Sequence, residues 1–347
     1  MSETRPDTVL VTGGTGFVAG WVIAKLLQGG YRVRATIRSA AREAAARAAI
    51  ANAAPDTSAL DFVEADLTAD AGWDEAMQGV DYVLHVASPL SGGDPDDPDS
   101  YVRPAVDGTL RVLRAAVNAG VKRIVLTSSA AASNAGVAGD SFTDETVWTD
   151  PAQWKSDGYR LSKVLAERAA WDFMKEHGDS RARDGQRGTE FVTILPTAIF
   201  GPVLTKATLG SVQVINRFLT GEMARIPRFG VAVCDVRDLA DAHIRAMTTP
   251  EAAGERFLIT GEFMWMEDIA RTLRERLGER ARKVPTKRMP DFALRLAARF
   301  KPELRTLLPL LGRSSRYSWA KAERILGFTP RPAADTVADT AESLLAP

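Results

Sequence analysis

The pattern of apolar and polar residues predicts that the chain begins with a strand, a turn, a helix and a second strand. Residues 9–20 start as an apolar strand and pass through a glycine-rich turn into the first turn of a helix. The helix continues through residues 21–27 and ends at Gly29 and Gly30, where glycine permits a left-handed cap. A second strand follows at residues 31–37. Together these elements form a βαβ unit.

The alternation of strands and helices continues to about residue 196. The strand predicted at residues 81–89 is nearly all apolar, which is typical of a strand buried on both faces. The helix predicted at residues 101–118 carries apolar residues at a 3.6-residue period. This order predicts an α/β fold with a doubly wound parallel sheet, the Rossmann arrangement. The other predicted elements are helices at 42–53 and 150–177 and strands at 60–68, 122–129 and 191–196.

The glycine-rich turn is where such a sheet would bind the pyrophosphate of a dinucleotide. Gly13 allows a tight turn, and Gly16 lets the backbone approach a phosphate at a helix N-terminus. Ala19 stands at the third position of the usual fingerprint, where a small residue is enough to pack the helix on the strand. Glycine turns are common by themselves, so the flanking strand and helix are what indicate a nucleotide site.

The residues after the second strand indicate which dinucleotide is bound. Enzymes that use NAD often have Asp or Glu here to bind the ribose 2′-hydroxyl. This chain has Arg38 here and Arg42 one turn later, and two guanidinium groups suit the 2′-phosphate of NADP. The plainer interpretation is that both are solvated residues at a helix start. We expect NADP(H) to be preferred, with NAD(H) possible. Asp66 could bind the adenine amine or cap a helix, and the small Ala87 would let a cofactor pass.

Beyond residue 196 the alternation weakens, and the chain is mostly helical from about residue 264. We therefore expect two units. An NADP-binding Rossmann domain would comprise residues 6–196 with about 231–260. A smaller, mostly helical substrate-binding lid would comprise residues 197–230 and 261–347.

Composition argues against several classes of function. The 347 residues include 44 Lys and Arg and 44 Asp and Glu, so no nucleic-acid or membrane partner is indicated. One cysteine and three scattered histidines make a disulfide framework and a metal site unexpected. The polar first residues and the lack of a long apolar run favour a cytoplasmic protein. We expect a small-molecule substrate and a monomer or homodimer.

Tyr159 and Lys163 are one turn apart in the predicted helix, so they share a face. A nearby ammonium group lowers the pKa of tyrosine from its usual value of about 10, and Lys163 can also hold the nicotinamide ribose. Ser129, at the end of the fifth strand, can hydrogen-bond a substrate oxygen. The three residues predict hydride transfer from NADPH to a carbonyl carbon, with Tyr159 as the proton donor and Ser129 orienting the oxygen. We interpret His85, inside the fourth strand, as a packing residue.

In combination, these motifs resemble the extended short-chain dehydrogenases/reductases of the NAD-dependent epimerase/dehydratase family. The nearest group is that of the dihydroflavonol, cinnamoyl-CoA and methylglyoxal (aldehyde) reductases, and the resemblance covers nearly the whole chain. The stretches that carry it are VTGGTGF at 11–17, YRVRATIR at 31–38, HVASP at 85–89, LTSSA at 126–130, YRLSK at 159–163 with AE at 166–167, LPTAIFGP at 195–202 and KAERILGF at 321–328.

The resemblance implies a carbonyl reductase that runs in reverse as an alcohol dehydrogenase. It makes Ser129, Tyr159 and Lys163 the catalytic triad, and it prefers Ser129 to Ser128 because Ser129 directly precedes the alanine of the motif. The implied cofactor-binding residues are Gly13, Gly16, Phe17, Val18, Arg38, Asp66, Leu67, Ala87, Ser88, Thr127, Tyr159, Lys163, Pro196 and Thr197. The implied substrate-binding residues are Ser88, Asn134 and Tyr159.

Two other functions remain open from the sequence. A nucleotide-sugar epimerase or a 3β-hydroxysteroid-type dehydrogenase would use the same scaffold, but more often with an acidic residue in place of Arg38. A non-catalytic NADP(H) sensor would commonly lack the tyrosine or the lysine, and this chain has both. Asp107 stands where many relatives have asparagine, so it is assigned no catalytic role.

Overall fold

The structure is a computed structural model that describes residues 6–89, 93–94, 97–134, 140–155, 157–178, 188–207, 209–300 and 302–346. Its strands are β1 (Thr8–Val11), β2 (Arg32–Ile37), β3 (Leu60–Glu64), β4 (Tyr82–His85), β5 (Arg123–Thr127), β6 (Ser141–Thr143), β7 (Glu190–Pro196), β8 (Ala198–Phe200), β9 (Gly230–Asp235), β10 (Arg256–Ile259), β11 (Phe263–Trp265) and β12 (Ser315–Tyr317). Its helices are α1 (Phe17–Gln28), α2 (Glu43–Ala51), α3 (Trp73–Met77), α4 (Asp99–Ala119), α5 (Gly158–His177), α6 (Gln213–Thr220), α7 (Val236–Thr248), α8 (Met266–Leu277), α9 (Asp291–Phe300), α10 (Ala320–Leu326) and α11 (Ala333–Leu345).

Seven strands form a parallel sheet in the order β10-β7-β5-β4-β1-β2-β3, which confirms the predicted doubly wound fold. β1 lies between β2 and β4, with Val11 opposite both Ala35 and Leu84. The chain winds outward in both directions from β1, so the loops after β1 and β4 leave the sheet side by side. Doubly wound sheets bind their ligands at this switch point, beyond the carboxyl ends of the strands.

Helices cover both faces of the sheet, which explains why its strands are mostly apolar and why several of them have no exposed residue. β1, β5 and β10 are buried at every position. One core, on the side of α1, α7 and α10, contains Ile23, Leu239 and Leu326. The core on the other face is built around α3, α4 and α5. The sheet is therefore held rigidly, and its carboxyl edge presents side chains in fixed positions.

The C-terminal part of the chain contains a small sheet as well as the predicted helices. β8, β9 and β11 form this sheet in the order β11-β9-β8, and α6, α8 and α11 pack around the same core. A second small sheet pairs β12 with β6. β9 and β10, strands of six and four residues, were not predicted from the sequence. The proposed division into two domains stays a prediction.

The helix expected over residues 150–177 begins later, at Gly158. Residues 151–154 form a separate 3-10 turn, in which the side chain of Asp150 accepts a hydrogen bond from the Ala152 N–H. The side chain of Asp157 then accepts a hydrogen bond from the Arg160 backbone N–H at 3.0 Å and caps α5. Tyr159 is therefore the second residue of α5, close to its N-terminus.

Candidate active site

The glycine turn after β1 is shaped so tightly that a side chain would not fit. Gly13 has a φ of +77°, and a Cβ atom there would lie 3.0 Å from the Cβ of Ala87. Gly16 is the N-cap of α1, and within the described residues no side chain caps the helix and no acidic residue lies in its first turn. Phe17 and Val18 open the helix, so their N–H groups have no partner inside it. This cradle fits the pyrophosphate of a dinucleotide.

Two arginine side chains follow β2, where the sequence predicts the contact with the 2′-phosphate of NADP. Arg38 and Arg42 are exposed. The charge of Arg38 helps to lower the pKa of Asp66, although the main cause of that lowering is a hydrogen bond from the Thr68 backbone N–H. Glu64 accepts a hydrogen bond from the Ala40 N–H in the same region. Two exposed guanidinium groups can reach a 2′-phosphate, and the nearby carboxylates keep the turn ordered.

The loop after β3 is held against α4. Oδ1 of Asp66 accepts hydrogen bonds from the backbone N–H and the hydroxyl of Thr68, both at 2.8 Å. Asp66 does not cap the following helix, because the N-cap of α3 is Gly72. A Cβ on Gly108 would lie 2.9 Å from the Cβ of Leu67, so a glycine in α4 is what allows this close contact. That Asp66 and Leu67 are adenine neighbours stays a prediction.

The loop after β4 is fixed by a hydroxyl from the loop after β1. The Ala87 N–H donates to Oγ1 of Thr12 at 2.9 Å, and the same oxygen lies 2.8 Å from Nδ1 of His85. His85 is buried, and burial lowers its pKa to about 3, with a smaller contribution from the charge of Lys163. A neutral, buried imidazole suits the packing role expected for His85. Ala87 and the half-buried Ser88 follow it along the cleft.

The three hydroxyl groups at the end of β5 have different partners. The Ser128 hydroxyl donates to Oε2 of the buried Glu167 at 2.6 Å. The Thr127 hydroxyl lies 2.7 Å from Nε2 of His243 on α7, and the cofactor contact expected at Thr127 stays a prediction. Ser129 instead accepts a hydrogen bond from the Ala131 N–H at 3.2 Å, and its side chain acts to lower the pKa of Tyr159. Of the three, Ser129 is the residue that faces Tyr159.

Tyr159 and Lys163 lie one turn apart on α5, as the spacing predicts. Tyr159 is 40% exposed, whereas Lys163 is buried. Burial lowers the pKa of Lys163 to about 8, and the carboxylate of Glu167 opposes that shift. Burial also raises the pKa of Tyr159, and among the charged groups Arg160 opposes the rise most.

This rise is opposite to the lowering expected at Tyr159, and the charged groups that shift this pKa are Arg160 and Asp157. The pKa of Tyr159 is above its usual value of 10, because the loss of hydration around the phenolate outweighs the attraction of nearby cations. The phenol is therefore fully protonated at neutral pH, which is the form that can donate a proton.

Comparison with known proteins identifies the family. Residues 9–260 match the profile of the NAD dependent epimerase/dehydratase family. The chain belongs to this family. It is 36% identical to cinnamoyl-CoA reductase 1 of Petunia hybrida over 277 residues, which are 79% of this chain and 78% of that protein. It is 34% identical to dihydroflavonol 4-reductase of Zea mays over 286 residues, 80% of this chain and 76% of that protein. The predicted resemblance is thus confirmed.

Solved structures agree with this family assignment. The yeast methylglyoxal/isovaleraldehyde reductase in complex with NADPH has a TM-score of 0.79 and 26% identity, and the match covers 97% of this chain and 98% of that one. The Thermotoga maritima UDP-glucose 4-epimerase, at 20% identity and a TM-score of 0.71, shares the fold. This member of the epimerase/dehydratase family is an NAD(P)-dependent oxidoreductase.

On the substrate side, the structure brings a distant residue to Asn134. Nδ2 of Asn134 lies 3.4 Å from the hydroxyl of Tyr317, and the Asn134 backbone N–H donates to Oγ1 of Thr149 at 2.8 Å. Burial raises the pKa of Tyr317, and the charge of Arg160 opposes the rise. Tyr317 is on β12, more than 180 residues along the chain, so sequence reasoning missed it. Arg160 acts on both tyrosines, which places them in one region.

The segment after β7 closes the other side of the site. Pro196 is the last residue of β7, and the Thr197 N–H donates to the Ile259 carbonyl at 3.3 Å. The Thr197 hydroxyl donates to Oγ1 of Thr260 at 3.1 Å. The ends of β7 and β10 are thereby tied together at the carboxyl edge of the sheet, where the sequence predicts the segment that flanks the nicotinamide.

The described residues offer neither a metal site nor a membrane-spanning helix. No group of three or more His, Cys, Asp or Glu residues in those ranges could hold a metal ion. None of the helices in the described part of this family member is both long and apolar enough to cross a membrane. That the enzyme needs no metal stays a prediction.

Proposed function

We propose that the protein is an NADPH-dependent reductase of aldehydes or ketones, which runs in reverse as an alcohol dehydrogenase. The observation that carries the proposal is the position of Tyr159 and Lys163 one turn apart on α5, with the side chain of Ser129 close enough to lower the pKa of Tyr159. These residues lie on the loop after β5 and on the helix that packs beside it, at the same sheet edge as the glycine turn. Bound NADPH would supply the hydride to the carbonyl carbon.

The protein's own residues would handle the oxygen of that carbonyl. Tyr159 would donate its proton to the oxygen, and the raised pKa keeps the phenol protonated until it does so. Ser129, whose side chain lowers the pKa of Tyr159, would bind the same oxygen and orient it. Lys163 would bind the nicotinamide ribose and place a positive charge below the phenol. In the reverse direction the same groups would accept a proton from an alcohol.

Two features support a preference for NADPH over NADH. Arg38 and Arg42 are exposed where the ribose 2′-phosphate would lie. Two related reductases, from yeast and from Candida albicans, were crystallised with NADPH, and each is 26% identical to this chain. We infer that Gly13, Gly16 and the N-terminus of α1 bind the pyrophosphate and that Asp66 and Leu67 flank the adenine.

The substrate class is inferred from the walls near Tyr159. Asn134, Tyr317 and the Trp154 ring, on which the Arg160 guanidinium lies at 4.8 Å, form a surface that is both aromatic and hydrogen-bonding. Such a surface suits carbonyl compounds with an aromatic or apolar substituent. The plant relatives, named as cinnamoyl-CoA and dihydroflavonol reductases, are consistent with this class.

The test is NADPH oxidation followed by absorbance, with a panel of small aldehydes, α-keto compounds, aryl ketones and a dihydroflavonol. Tyr159→Phe serves as the control that keeps the ring and removes the proton. Turnover that is lost in the variant supports the proposal. If the protein binds NADPH tightly but oxidises none of it with any carbonyl, the proposal fails, and a nucleotide-sugar epimerase or an NADP(H) sensor becomes the better interpretation.

A further inference from the structure

A buried ion pair lies directly behind the candidate triad. Glu167 is on α5, one turn beyond Lys163, and its side chain is completely buried. Its carboxylate accepts hydrogen bonds from Nε of Arg256 at 2.8 Å, from the Ser128 hydroxyl at 2.6 Å and from the Thr193 hydroxyl at 3.0 Å. Three elements, β5, β7 and β10, therefore converge on one side chain of α5.

Arg256 completes the connection to the loops around the site. Its guanidinium donates to the backbone carbonyls of Glu145, Val147 and Ala132, at 2.7, 3.1 and 3.2 Å. The ring of Trp148 covers it, with the centre of the guanidinium 3.6 Å from the ring centroid. Ala132 ends the short turn that Ser129 begins.

Stability alone does not require a buried ion pair at this position. Burying two charges costs several kcal/mol for each ion, and well-packed apolar residues often serve stability equally well. The partners of this pair are the turn that carries Ser129 and the helix that carries Tyr159 and Lys163. Ion pairs elsewhere in the described sheet, such as Arg123 with the half-exposed Glu190, lie at the opposite ends of β5 and β7.

We propose that Glu167 and Arg256 are positioning residues that hold the Ser129 turn against α5 and keep the ammonium group of Lys163 charged. The inference rests on the proposed reductase function for its kinetic consequences. Neither residue touches substrate or cofactor. Glu167 acts through the Ser128 hydroxyl and through its charge, and Arg256 acts through Glu167 and the Ala132 carbonyl.

The direction of the charge effect follows from the groups around Lys163. Glu167, on the same helix, opposes the lowering of the Lys163 pKa that burial causes. His85, from β4, is neutral, and Arg256, from β10, is the counterion of Glu167. Tyr159 is protonated. Removing the carboxylate therefore lowers the pKa of Lys163 below about 8, so the lysine loses its charge at a lower pH.

The experiment compares Glu167→Gln, Ser128→Ala and Glu190→Gln with the wild type. NADPH affinity, read from cofactor fluorescence, and kcat and KM for an aldehyde are measured between about pH 6 and about pH 10. In Glu167→Gln, we expect the alkaline loss of NADPH affinity to move to lower pH by about one unit, a tenfold change in the deprotonation equilibrium. Ser128→Ala keeps the charge, so we expect kcat to fall about tenfold with no movement of the alkaline limb.

Glu190→Gln removes a carboxylate from the other arginine pair of the same sheet, so it shows what a lost ion pair does through stability alone. If Glu167→Gln loses NADPH affinity at the same alkaline pH as the wild type, Glu167 does not keep Lys163 charged. If Ser128→Ala has the kcat of the wild type, the hydrogen bond from Ser128 to Glu167 does not position Ser129. If Glu167→Gln does not fold, Arg256→Lys keeps both charges and is expected to lower kcat without moving the limb. The fluorescence titration needs no turnover, so a wild type that reduces no carbonyl refutes the proposed function and still leaves the charge role tested.

Discussion

Gly13 combines a positive φ with a close steric contact in the candidate cofactor site, and its role can be tested against a matched glycine. Gly13 and Gly30 have φ values of +77° and +81°. A Cβ on Gly13 would lie 3.0 Å from the Cβ of Ala87 and 3.3 Å from its Cα, whereas one on Gly30 would have no atom of the described residues within 4 Å. Alanine at either position destabilises the fold through the same backbone strain. Only Gly13→Ala also places a Cβ too close to Ala87.

The two costs can be separated in magnitude. The left-handed conformation costs alanine about 1–2 kcal/mol at both sites. The collision at Gly13 adds about 1–3 kcal/mol, the usual range for overpacking. Ala87 cannot move away cheaply, because its N–H is bonded to Thr12. The glycine turn therefore opens by a few tenths of an ångström, and the N–H groups at the start of α1 no longer converge on a phosphate.

We expect Gly30→Ala to lose about 1–2 kcal/mol of stability and to bind NADPH as the wild type does. Gly13→Ala should lose about 2–5 kcal/mol and weaken NADPH binding at least about tenfold, or about 1.4 kcal/mol. Urea unfolding gives the first quantity, and fluorescence titration of the folded protein gives the second. Wild-type NADPH affinity in Gly13→Ala would refute the assignment of this turn to the pyrophosphate. Equal stability losses in the two variants would refute the collision.

Four further predictions follow from the site. Tyr159→Phe should lower kcat at least about 100-fold while NADPH affinity stays within about twofold, and unchanged turnover in a steady-state assay would remove Tyr159 as the acid. Arg38→Ala should weaken the binding of NADPH by about 1–3 kcal/mol and leave the binding of NADH almost unchanged. Equal losses of affinity for the two cofactors in paired titrations would rule out the 2′-phosphate contact. NADPH affinity should fall as the pH rises through about 8, the pKa of Lys163, because only the protonated lysine carries a charge, and a flat profile would show that this charge does not matter. EDTA should leave activity unchanged, and inhibition that added metal reverses would show that a metal is needed.

Local patterns were sufficient for the fold class and for the choice of candidate residues. The βαβ unit was predictable because a glycine turn between a strand and a helix is encoded within twenty consecutive residues. Tyr159 and Lys163 were predictable as a pair because four residues make one turn of any helix, wherever the helix packs. β9 and β10 were missed although β1 and β4 are equally short, because they lie beyond residue 196, where the alternation of strands and helices weakens.

The sequence by itself thus determined the doubly wound fold, the glycine cradle and the identity of the polar groups around it. Tertiary structure alone decided how those groups behave. In the folded chain the Ser128 hydroxyl donates to Glu167, and Ser129 acts to lower the pKa of Tyr159. Distant residues also meet there, because Tyr317 contacts Asn134 and Arg256 pairs with Glu167. The tertiary structure also raised the pKa of Tyr159, where spacing alone predicted a lowering. Burial and contacts between distant segments set hydrogen bonds and hydration, and these depend on what surrounds a residue in space.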